Sequence, residues 1–110
     1  MVYNKLVRDR IPELMERQGK RPVTRLLEPE EYTRALEEKL REETEEYFRD
    51  QNAEELADIL EVVFALGENL GCSQETLLLL RREKAEARGA FRDRVYLISD
   101  EGEAGRHNFD

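Results

Sequence analysis

Residues 29–70, "PEEYTRALEEKLREETEEYFRDQNAEELADILEVVFALGENL", decide the fold. Pro29 suits a first helical position and opens a long helix, about residues 29–50. Asn52 is a good N-cap, and Glu55 three residues later can complete a capping box. A further helix then runs from about 53 to 70 and stops at Gly71. The link near Gln51 and Asn52 is very short, so the two helices are expected to pack antiparallel.

Acids occupy unexpected positions on both helices. On the first, Leu36, Leu40 and Tyr47 form one stripe, and Glu43 falls inside it. Glu46 lies at the edge of that stripe, Glu42 is further round, and Glu45 faces away and is expected to be solvated. On the second, Leu56, Ile59, Leu60, Val62, Val63, Phe64 and Leu66 leave apolar surface on most sides, which predicts burial against several neighbours. Asp58 shares a row with Val62, and Glu55 sits one turn before it. In the hairpin, Glu43 and Glu46 can face Glu55 and Asp58. Converging carboxylates in a partly dry site repel unless a cation is present, and oxygen-only ligands suit a hard ion, Mg²⁺ or Mn²⁺. Acid-rich helix faces are also commonly solvated surfaces, and Glu55 has a second role as a capping residue, so both readings stand at this level. A di-iron carboxylate bundle requires two Glu-x-x-His motifs. The single histidine, His107, lies in the tail, and that option is set aside.

Outside the hairpin, "IPELMERQG" reads as a short helix with Pro12 near its start and Gly19 beyond its end. "KRPVTRLLE" reads as extended or loop. Ser73 begins another helix, about 74–88, stopped by Gly89, and "FRDRVYLI", 91–98, has the content of a short strand. The fold class is therefore all-α: a bundle of about four helices with short extended segments near the N-terminus and at about 91–98. Residues 1–98 are expected to form one domain, and 99–110 an acidic, frayed tail.

With 110 residues and a net charge of −8, the chain is no general binder of nucleic acid. No signal peptide and no membrane span are expected from its apolar pattern, and its one cysteine, Cys72, is expected in a turn and fits a reducing cytoplasm. Lys5, Arg8 and Arg10 form one basic cluster; Lys84, Arg88, Arg92 and Arg94 form another. Either can meet phosphate or pair with the abundant glutamates. Phe91 and Tyr96 are expected in the core, Tyr47 in packing beside Glu43, and Asn4 in a turn.

"EETEE" at 42–46 fits E-E-x-x-E, and "ELAD" at 55–58 fits E-x-x-D. With "YNKLVRDRIPEL" at the start and "KAEARGAFRDRVYL" after the last helix, the chain resembles the MazG-like all-α nucleoside triphosphate pyrophosphohydrolases, in their phosphoribosyl-ATP pyrophosphohydrolase-like subgroup. The similarity runs over about residues 2–98. It implies a Mg²⁺-dependent hydrolase, Mn²⁺ serving as well, that splits a nucleoside triphosphate between its α and β phosphates. It implies Glu43, Glu46, Glu55 and Asp58 as metal ligands, Glu42 and Glu43 as catalytic residues, and Lys5, Arg8, Arg10, Lys84, Arg88 and Arg94 at the substrate. It also implies a homodimer or higher homo-oligomer, in keeping with the apolar excess on the second hairpin helix. The eight-residue link 47–54 is shorter than in many relatives and leaves base and sugar open. The alternative is a non-catalytic helical module that binds a nucleotide or a protein.

Overall fold

A computed structural model describes residues 1–102. It is all-α, with α1 (Ile11–Arg17), α2 (Pro29–Asp50), α3 (Ala53–Asn69) and α4 (Gln74–Arg88), and no strand among the described residues. Contacts divide the chain into two compact units, Met1–Ser73 and a second beginning at Gln74.

The first unit is built on the α2–α3 hairpin. Gln51 takes a left-handed conformation (φ 53°, ψ 47°), and its N–H donates to Tyr47 O, which closes α2. Asn52 follows in an extended conformation, and its Oδ1 accepts from the backbone N–H of Glu55 at 3.0 Å. Two residues thus reverse the chain. At the far end Asn69 Nδ2 donates to Thr33 Oγ1 at 2.8 Å, which ties the end of α3 to the start of α2 and makes the pair antiparallel. Beyond α3, Gly71 (φ 82°) allows a Schellman closure: its N–H donates to Glu68 O and that of Cys72 to Gly67 O. Cys72 is partly buried in this turn, as expected. Asn52→Ala removes the α3 cap and should cost about 1 kcal/mol of stability, read as a lowered urea midpoint at unchanged m-value.

The start of α2 holds a feature that Pro29 alone did not reveal. Glu31 accepts from the backbone N–H of Glu28 and, through both carboxylate oxygens, from Arg25 at 2.8 and 3.1 Å. The Arg25 bond, then the Glu28 N–H, hold the Glu31 carboxyl down to about 2. A carboxyl held low in the folded state contributes stability above its ordinary value, about 4.5, and loses it as pH falls toward 2. A carbon-detected carboxyl titration should therefore place Glu31 well below the other glutamates. Arg25→Gln should return it toward the ordinary value.

Burial is sparse. Among the described residues, Leu36 of α2 and Val62 of α3 are the buried apolar side chains, on the two helices that pack against each other. The sequence predicted α3 buried against several neighbours, yet Leu56 and Leu60, one turn apart, are 46% and 52% exposed. α2 is the helix that packs on α3, which leaves Leu56 and Leu60 open while Val63, Phe64 and Leu66 are half-buried. In the second unit, α4 has no buried residue. The expected strand at 91–98 does not form: 91–93 bend and turn, Arg94 is left-handed (φ 59°), and no neighbouring strand supplies hydrogen bonds. Phe91 and Tyr96, expected in the core, are 95% and 88% exposed. β-type composition without a partner strand does not fix a strand. Asn4, expected in a turn, has a positive φ (46°) and precedes a bend at Lys5. Of the tail, residues 103–110, with His107, lie outside the described residues.

Candidate metal centre

The hairpin brings five acids of α2 and α3 into two overlapping groups. Oxygens of Glu42, Glu43 and Glu46 lie within 4.8 Å of one another, and so do oxygens of Glu43, Glu55 and Asp58. Glu43 belongs to both sets and is the most buried charged residue described, 6% exposed. Its place in the apolar stripe of α2 causes this: the stripe that buries Leu36 buries Glu43 seven residues on. Glu45, on the other side of the helix, is exposed, as expected.

The electrostatics follow from crowding and desolvation. Burial first, then the Glu46 carboxyl beside it, push the Glu43 carboxyl above its ordinary range, while Lys39 opposes the rise. Burial likewise raises Glu55, with Asp50, Asp58 and Glu43 adding repulsion, while Glu46 opposes the rise. Oε2 of Glu43 and Oε2 of Glu55 are buried and accept no hydrogen bond. A buried carboxylate oxygen without a donor costs on the order of 1–3 kcal/mol. The Glu55 side chain does not cap α3: Asn52 caps the Glu55 N–H, and the carboxylate joins the cluster instead.

The chain answers part of this charge with its own cations. Lys39 Nζ lies 3.3 Å from Glu43 Oε1 and 3.5 Å from Glu42 Oε1, and its side chain is 17% exposed. Sequence reasoning missed it, although its i,i+3 and i,i+4 spacing to these acids was the available signal. Lys5 Nζ reaches Glu42 Oε1 at 3.5 Å, and Arg8 donates to Asp58 Oδ1 at 2.7 Å. Of the residues expected at phosphate, Lys5 and Arg8 are thus at the acids. Arg10 is not: it pairs with Glu13 of α1 at 3.3 Å. Lys84 and Arg88 stand one turn apart on α4, and Arg94 follows, all in the second unit. Tyr47 packs on Phe48, ring centroids 6.0 Å apart, in keeping with a packing role.

Five carboxylates gather here against three cationic side chains, so the acids outnumber the cations that answer them. The donor set fits a divalent cation: all oxygen, two orphaned oxygens, and no sulfur or imidazole.

A 41-residue stretch is 56% identical to an uncharacterized protein of Mycolicibacterium smegmatis. The match covers 37% of this chain and 42% of that protein, so it spans less than half of the relative's length. No family model and no solved structure matches the chain. No helix among the described residues is long and apolar enough to cross a membrane.

Proposed function

We propose that the chain is a Mg²⁺- or Mn²⁺-dependent nucleoside triphosphate pyrophosphohydrolase, releasing a nucleoside monophosphate and pyrophosphate. The observation that carries this reading is Glu43: a buried carboxylate whose Oε2 has no donor, placed against acids of both hairpin helices. Glu43, Glu46, Glu55 and Asp58 would hold the cation. The bound cation would neutralise phosphate charge and assist attack on phosphorus. Glu42 is part-exposed at the rim and suits the orientation of a water molecule and the acceptance of its proton. Lys5 and Arg8, each about half exposed, suit phosphate oxygens.

We further propose a homodimer, with the open face of α3 at Leu56 and Leu60 against a second copy. Light scattering on a sizing column should give about twice the 13.0 kDa chain mass. A clean monomer at micromolar concentration removes the dimer from the proposal. The lone Cys72 supports a reducing, cytoplasmic setting.

The activity is tested by pyrophosphate release from a panel of ordinary and modified nucleoside triphosphates with Mg²⁺ or Mn²⁺. Turnover of at least one member, lost with chelator, is the expected result. Silence across the panel favours a non-catalytic nucleotide-binding module.

A further inference from the structure

Lys5 and Arg8 touch the acids, although both are residues suited to phosphate. They come from the segment before α1, and their partners are 37 and 50 positions away in sequence. These contacts differ from that of Lys39. Lys39 is rooted on α2 beside its partners and largely covered, whereas Lys5 and Arg8 are 43% and 54% exposed on an irregular segment. They can leave without disturbing a helix. Arg8 also takes up an oxygen of Asp58, a residue whose carboxylate converges with those of Glu43 and Glu55.

We propose that Lys5 and Arg8 are exchangeable counter-ions: they neutralise Glu42 and Asp58 when no divalent cation is bound, and the incoming cation releases them to the phosphates of the ligand. This rests on the reading of the acid cluster as a metal site. The unpartnered Oε2 of Glu43, on a side chain only 9% exposed, independently marks that site. Solvent-exposed ion pairs are worth about 0.2–1 kcal/mol, so a divalent ion held by several carboxylates outcompetes them. The freed cations stay tethered nearby, where they raise the local positive charge that a polyphosphate meets. Charge on the site is thus covered in both states, and metal and phosphate binding become coupled through the N-terminal segment.

The test uses the full chain and two probes, Mn²⁺ alone and inorganic pyrophosphate at saturating Mn²⁺, each followed by calorimetry. Arg8→Gln and Lys5→Gln should each bind Mn²⁺ about two- to five-fold tighter than the parent, because a competitor is gone. The same variants should bind pyrophosphate more weakly. Arg8→Lys should return both affinities toward the parent. Arg17→Gln, a basic residue engaged with Glu13 at 2.8 Å, should change neither. A residue that merely braced the fold would not move the two affinities in opposite directions. Unchanged or weaker Mn²⁺ binding in the Gln variants, or unchanged pyrophosphate binding, overturns the exchange while leaving the metal site intact. Absence of saturable Mn²⁺ binding by the parent sinks the metal reading itself, and the exchange with it.

Discussion

Glu43→Gln should melt at a higher temperature than the parent in chelator and at a lower one in saturating Mg²⁺. The sign in chelator follows from the balance at Glu43. Its carboxyl is pushed above the ordinary range even with Lys39 at 3.3 Å, so the surroundings disfavour its charge on balance. Removing that charge leaves Lys39 still paired with Glu42 at 3.5 Å, so no cation is orphaned. A gain of about 1 kcal/mol shifts the midpoint of a domain this size by several degrees. In Mg²⁺ the order reverses. A cation at 100 times its dissociation constant stabilises the parent by about 2.7 kcal/mol, on the order of 10 °C. The variant has lost the ligand shared by both groups of acids and should gain little. Differential scanning fluorimetry with and without Mg²⁺ reads the crossing. Parallel Mg²⁺ responses in parent and variant would place the ion elsewhere.

The second large effect is on turnover. Glu43→Gln and Asp58→Asn should each lower pyrophosphate release by about 100-fold or more, the scale of losing one preorganised electrostatic contact in a catalytic site. Asp58 is the sharper test of geometry, because it acts from α3 and contributes only if the hairpin register is right. Glu45→Gln, on the exposed side of α2, should leave the rate unchanged. Equal losses in Glu45→Gln and Glu43→Gln would reduce the effect to overall charge.

The hairpin was legible because its punctuation is local. Pro29, Asn52 and Gly71 mark helix ends through backbone chemistry that needs no distant partner. Glu43 was legible because a charge in an apolar stripe is an anomaly at helical period, and its mate across the hairpin follows from a two-residue link. What failed depended on partners far away in sequence. Phe91–Ile98 has strand composition but no second strand, so its residues stand exposed. The apolar circumference of α3 foretold burial that one neighbouring helix does not provide. The contacts of Lys5 and Arg8 with Glu42 and Asp58 span 37 and 50 positions, beyond any spacing rule. Lys39, the site residue that the sequence did not single out, carried a readable signal in its helical spacing to Glu42 and Glu43.

The location of the ion is the direct test of the account. Mn²⁺ added in sub-stoichiometric amounts to isotope-labelled protein broadens amide signals near its binding site. The account predicts that the signals of Glu43, Glu46, Glu55 and Asp58 vanish first and together, from two helices at once. Broadening confined to exposed acids such as Glu37, Glu38 and Glu75, with those four signals intact, would contradict it.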